Sequence, residues 1–290
     1  MSRMKILLTG AGAQLAMPIA AEFSGKADVR ALRHSELDIT NASAVHREIG
    51  SFLPTHIINC AAYNNVDGAE DDAQLALSVN AFGVRVLARA ASEIGATLVH
   101  YSTDFVFDGH ASTPYTENDV PNPASVYAAS KLLGEWFALE CPRGFVLRVA
   151  SLFGGAPAKS SVDRIVDALI DGREARVFSD RTVSPSYSID VAAATRAVME
   201  RGRPGLYHCV GSGLCTWHEF GVEAAKRLGV EKSAKLVPVR TVDVPLRAAR
   251  PRYAALSNAK LTALTPIPTW RDALDRYLAA RFLDRSASKP

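Results

Sequence analysis

The sequence predicts an α/β fold: a doubly wound parallel sheet with a smaller, discontinuous C-terminal domain. Three observations carry this. Short apolar runs alternate with helix-forming stretches through the first half of the chain, the first run ends in a glycine turn that opens a helix, and two later stretches richer in Pro, Arg and Thr break the alternation. Alternating strands and helices imply right-handed crossovers, a sheet covered on both faces, and ligands at the carboxyl ends of the strands.

Taken in order, Lys5–Thr9 is an apolar strand ended by Gly10-Ala11-Gly12, with a helix expected from Gln14 to Phe23. Val29–Leu32 reads as a second strand, and Ala42–Phe52 as a helix capped by Thr40 or Asn41. His56–Asn59 is a third strand, followed by a long helical segment from Ala73 to Ile94 and the strand Thr97–Ser102. A helix over Val126–Glu140 precedes the strand Gly144–Arg148, and Gly205–Cys209 is a further strand. These pieces place the sheet domain at residues 1–152 and about 183–211, and the smaller portion at about 153–182 and 212–290, with fraying expected from Arg281 to Pro290.

Composition narrows the function. The 33 basic and 30 acidic residues are interspersed, so no stripe suited to nucleic acid stands out. Cys60, Cys141, Cys209 and Cys215 are scattered without a C-x-x-C pair, which argues against a zinc ribbon or redox dithiol and for buried, reduced thiols. The strand begins almost at Met1 and no apolar run approaches membrane-spanning length, so the expected location is the cytoplasm, with no membrane partner. Asp67, Glu70, Asp71 and Asp72 read as a solvated helix start, and no metal is assigned.

The glycine turn, from Gly10 through Ala13, Gln14 and Leu15, sits where backbone N–H groups can hold a pyrophosphate, making the sheet Rossmann-type. After the second strand, where an acidic residue favours a free ribose hydroxyl and an arginine tolerates a phosphate, stands Arg33. This leans toward NADPH over NADH, with Asp38 and Ile39 flanking the adenine. Tyr127 and Lys131, at i and i+4, project from one helix face, so the ammonium can lie beside the phenol and bring it into range as a proton donor. Thr103, at the end of the preceding strand, is placed to orient a carbonyl oxygen. Trp217 is assigned to packing in the smaller domain, starting a helix there.

The ordered set of glycine turn, Asn59 to Tyr63, Asn80, Ser102-Thr103-Asp104, Tyr127 and Lys131, joined by Arg148, Tyr207-His208, Thr216 to Phe220, Arg250-Pro251 and Leu256 to Leu261, resembles the dTDP-4-dehydrorhamnose reductase branch of the extended short-chain dehydrogenases. The resemblance implies reduction of a 4-keto-6-deoxy sugar carried on a nucleotide. It implies cofactor contacts at Ala13, Gln14, Leu15, Arg33, Asp38, Ile39, Ala62, Tyr63, Asn64, Tyr127 and Lys131, and sugar contacts at Thr103 and Asp104. Departures from the family pattern are Ala13 and Ala16 at glycine positions, Ser151 at a sugar-facing tryptophan position, Ser161-Val162 for an Asn-Phe pair, and Ser184-Pro185-Ser186 for Gly-x-Pro-Thr. They keep two alternatives open: a ketoreductase or epimerase acting on another nucleotide sugar, and a non-catalytic NADP-binding regulatory subunit. A homodimer is the default assembly for such a chain.

Overall fold

The computed structural model describes residues 3–287. Six parallel strands form the central sheet: β1 (Lys5–Thr9), β2 (Asp28–Leu32), β3 (His56–Asn59), β4 (Thr97–Thr103), β5 (Gly144–Val149) and β6 (Gly205–His208). Their spatial order is β6-β5-β4-β3-β1-β2. The chain leaves β1 to lay β2 on one side and returns to lay β3 on the other, so the carboxyl ends of β1 and β3 flank the switch point where doubly wound sheets bind ligands.

Among the described residues eight longer helices complete the fold: α1 (Ala16–Phe23), α2 (Ala42–Phe52), α3 (Gly83–Glu93), α4 (Val126–Leu139), α5 (Ser161–Ile170), α6 (Ser188–Arg201), α7 (Trp217–Arg227) and α8 (Trp270–Ala287). The side-chain alternation of β1 sorts two of the cores: Ile6 and Leu8 pack with residues of α1 and α6, while Leu7 packs with α2 and α3 on the opposite face. All three are fully buried, each stabilising the fold by about 1.5–3 kcal/mol. A separate core joins Phe153, α5, Ala175, Val177, Trp217, Phe220 and Trp270 to Leu278 in the smaller portion.

Local chemistry explains most boundaries. The Asn41 side chain caps α2 by accepting from Ala44 N–H at 3.0 Å, and Ser125 caps α4. The expected helix from Ala73 to Ile94 is interrupted by a π-turn at Ser78–Phe82, with an α-helical turn at Ala73–Leu77 before it. That bulge brings Asn80 against α4, where its Nδ2 donates to Ser130 Oγ at 3.0 Å. Helix α4 approaches so closely that a Cβ at Gly134 would lie 2.1 Å from the Asn80 carbonyl. Ala16 is buried in the main core, so its methyl fills space between helix and sheet.

The acidic cluster sits at a helix start with Glu70, Asp71 and Asp72 exposed, as expected, and it also makes specific contacts. Asp67 forms a bidentate pair with Arg250 and accepts from Ala248 N–H, Asp71 pairs with Arg247, Glu70 accepts from Val126 N–H, and Asp72 caps the next helical turn. The cluster ties the 247–250 segment to the sheet domain and fixes the first turn of α4. All four cysteines are buried and free. At the C-terminal end, where fraying was expected, α8 runs to Ala287 and residues 288–290 lie outside the described residues. No helix among the described residues is long and apolar enough to cross a membrane.

Candidate active site

A cavity of about 720 Å³ opens at the carboxyl ends of β1, β3 and β4. Its sheet side is lined by Ala13, Gln14 and Leu15 at the start of α1, by Ala62 and Asn64 after β3, by Ser102, Thr103 and Asp104, and by Tyr127 and Lys131. Ser151 lines it too, with a left-handed backbone at φ 46° where the chain leaves β5 for the smaller domain. Ten of the expected site residues therefore share one cavity.

The other five sit around it. Gly10, at φ 69°, makes the turn, and a Cβ there would lie 2.5 Å from Ala61 N. Arg33 is exposed just beyond β2, held near the glycine turn because Ala11 N–H donates to Leu32 O at 2.9 Å. The Asp38 carboxylate is spent on Thr40, whose backbone N–H bond is the largest influence holding its pKa low. Ile39 is buried in the core and faces Gly83. Tyr63 is clamped through its backbone by both ends of the Asn80 amide.

The residues lining the glycine turn fit a dinucleotide. No side chain caps the start of α1; Ala13 N–H is held by Gly10 O and Ala16 N–H by Ala13 O, which leaves the N–H groups of Gln14 and Leu15 for a ligand, and the position of a Cβ at Gly12 is open space. Ala13 borders the cavity, whereas Ala16 faces the core.

Tyr127, Lys131 and Glu135 follow one another at successive turns of α4 on its buried face. Lys131 Nζ donates to Tyr101 O at 2.6 Å, and Glu135 forms a bidentate pair with Arg148 of β5, both members 2% exposed. The expected effect of Lys131 on the phenol is not what this geometry shows. Burial, and next the charge of Asp104, push Tyr127 up to about 12, with Thr103 acting in the opposite sense. Lys131 is pushed down to about 8 by burial, against Glu135 and Cys60. The phenol is thereby kept protonated, as a proton donor requires.

Thr103 also differs from expectation in detail. Its hydroxyl donates to Asp104 Oδ1 at 3.1 Å and accepts from Phe105 N–H at 3.2 Å. Burial pushes Asp104 up to about 7, opposed by Thr103 and then by Arg181. Protonating Asp104 weakens it as an acceptor and so loosens its hold on the Thr103 proton.

The wall contributed by the smaller domain was largely missed in the sequence. It includes Arg164, Phe178, Arg181, Trp217 and Arg250. Arg181 is 7% exposed, lies over the Phe105 and Phe178 rings, and leaves its Nε without a partner; Ser102 Oγ on the opposite wall is likewise buried and unpartnered. Such groups are costly unless a ligand satisfies them. Trp217 both packs in the smaller core, as expected, and borders the cavity. Arg250-Pro251 and the stretch from Thr216 to Phe220 were the sequence signals for this wall. Ser184 and Ser186 face inward, bonding Leu256 O and Ser184 O.

Comparison with known proteins places this geometry. The family model described as RmlD substrate binding domain matches residues 4–282. The chain is 38% identical over 288 residues to a dTDP-4-dehydrorhamnose reductase of Mycobacterium tuberculosis, covering 95% of this chain and 93% of that one. It is 32% identical to a spore coat polysaccharide biosynthesis protein of Bacillus subtilis, covering 96% and 98%. Among solved structures, a dTDP-4-dehydrorhamnose reductase of Bacillus anthracis in complex with NADP superposes with a TM-score of 0.91 at 31% identity, covering 96% of this chain and all of that one.

Proposed function

Because the chain belongs to the dTDP-4-dehydrorhamnose reductase family, we propose that it reduces the 4-keto group of a nucleotide-activated deoxy sugar, using NADPH in preference to NADH. The observation that carries the reading is the convergence of Thr103, Tyr127 and Lys131 on one cavity with the uncapped start of α1. Bound NADPH supplies the hydride.

The residues of the chain do the rest. Backbone N–H groups at Gln14 and Leu15 and the α1 dipole receive the pyrophosphate, with Ala13 bordering it and Gly10 shaping the turn. Arg33, with Asp38 and Ile39 behind it, meets the adenosine end, and Ala62, Tyr63 and Asn64 form the floor. Lys131 retains donors beyond the one given to Tyr101 O, and these hold the ribose hydroxyls. Tyr127 donates the proton to the ketone oxygen as it becomes an alkoxide, and the Thr103 hydroxyl, turned from Asp104, steadies that oxygen. Arg181, Arg250, Arg164 and Ser151 face the remainder of the nucleotide sugar. Four buried thiols with no disulfide support a cytoplasmic setting.

The test is NADPH and NADH oxidation across a panel of nucleotide-activated 4-keto sugars. Turnover is expected with a 4-keto-6-deoxy sugar on dTDP, faster with NADPH, and Arg33→Asp is expected to shift the cofactor preference toward NADH by about tenfold. No oxidation of either cofactor by any member would sink the reading. Ser151, in place of a large side chain, favours a second reading, another nucleotide-sugar ketone as best substrate, which the same panel ranks.

A further inference from the structure

A chain of buried polar side chains runs behind the cavity. Thr9 Oγ1 donates to Asn59 Oδ1 at 2.7 Å, and Ala61 N–H donates to the same oxygen at 3.0 Å. A backbone N–H can only donate, so the atom it meets must be the amide oxygen, and the Asn59 NH₂ is left facing His100 Nδ1 at 3.1 Å. That nitrogen must therefore accept. Burial holds His100 neutral, so its one proton resides on Nε2, which faces Lys131 Nζ at 3.5 Å.

We infer that His100 is a positioning residue for Lys131: its tautomer, set by Asn59, turns an N–H rather than a lone pair toward the lysine ammonium. The molecule holds the opposite arrangement elsewhere. His208 Nδ1 meets the Tyr115 carbonyl at 3.1 Å and must donate to it, so its Nε2 lone pair faces Arg148 at 3.4 Å and accepts. One buried histidine thus welcomes its cation and the other refuses it.

The refusal has two consequences. Lys131 cannot spend a proton on the protein interior behind it, so the donors left after Tyr101 O point to the cavity. The opposed N–H also weakens the hold of Lys131 on its own third proton. The other titratable groups around Lys131 are Glu135 and Tyr127 on its own helix, Cys60 beyond β3 and Tyr101 on β4; Glu135 and Cys60 favour the charged lysine and oppose His100. The lysine is held between charged and neutral by groups on three elements. This inference rests on the reading that Lys131 serves Tyr127, but its test does not.

Full-length chain labelled with ¹⁵N-histidine, with His100→Gln to assign the resonance, reports the tautomer directly. The expected signature is a neutral ring protonated at Nε2 from about pH 6 to about pH 9. A ring protonated at Nδ1, or an imidazolium, overturns the inference. Asn59→Asp supplies an acceptor to Nδ1–H, reverses the tautomer, and is expected to move the Lys131 titration, followed by its ¹³Cε shift, up by about one pH unit. His100→Gln, whose amide can accept from Asn59 and turn its NH₂ to Lys131, is expected to leave that titration within about 0.3 unit. An unmoved titration in folded Asn59→Asp, or an equal shift in His100→Gln, also overturns it. Should Asn59→Asp fail to fold, the wild-type tautomer decides alone. None of these readouts uses sugar or cofactor, so failure of the reductase reading would leave them intact.

Discussion

Ser102 apart, the sheet wall of the cavity holds its polar side chains in buried, mutually satisfied contacts, while the wall from the smaller domain holds arginines against aromatic rings and carboxylates drawn from distant parts of the chain. Thr9, Asn59, His100 and Lys131 stand on successive strands and on the helix that covers them, each fixed by a neighbour. Arg181 keeps an unpartnered Nε, and Arg250 is held by Asp67 across 183 residues of sequence. The difference separates two tasks. Proton transfer needs fixed geometry, whereas substrate capture needs groups that can change partners.

The comparison can be broken at either wall. The largest effect is expected from Tyr127→Phe, which should lower turnover by about 10²–10⁴-fold while NADPH affinity, followed by fluorescence titration, stays within about twofold. Next, Glu135→Leu leaves the Arg148 guanidinium buried and unpaired, and denaturant unfolding should show a loss of about 3–5 kcal/mol. At the other wall, Asp67→Asn loosens the 247–250 segment. Its pair with Arg250 is partly exposed, so the stability loss should stay below about 1 kcal/mol while KM rises about tenfold and kcat changes little. If kcat falls with KM unchanged, the division between walls is wrong.

The smallest expected effect is on pH-dependent stability. His56 is depressed to about 4 and His208 to about 3, both by burial first, so each is neutral in the fold and takes up a proton more readily when unfolded. Their contribution is complete above the unfolded value of 6.5 and lost as pH falls through the folded ones. Asp104, raised to about 7, runs the other way: its contribution is present below its unfolded value of 3.8 and lost as pH rises through about 7. The midpoint of unfolding should therefore fall between about pH 7.5 and about pH 5, less steeply in His208→Gln.

Legibility in the sequence follows the same division. The alternation of strands and helices, the Gly10 turn and the Tyr127–Lys131 pair are local patterns, fixed by periodicity and by an i, i+4 spacing, and the chain displays them directly. The π-turn at Ser78–Phe82 was hidden because it is set by the approach of α4 at Gly134. Arg164, Arg181, Trp217 and Arg250 converge only through folding of the smaller domain, and Trp217 was assigned to packing alone because one aromatic can fill a core and border a cavity at once. The pairing of Asp67 and Asp71, solvated as expected, was hidden because their arginine partners stand far along the chain.

Hydride transfer itself is the most direct test of the account. The chain should be supplied with NADPH deuterated at the transferred position and a dTDP-linked 4-keto-6-deoxy sugar, and the product examined by mass and NMR. Deuterium at the sugar 4-position, one per cofactor oxidised and transferred about 10²–10⁴-fold more slowly with Tyr127→Phe, is the predicted result. An epimerised sugar without net cofactor oxidation, or tight NADPH binding with no label transferred, would contradict it.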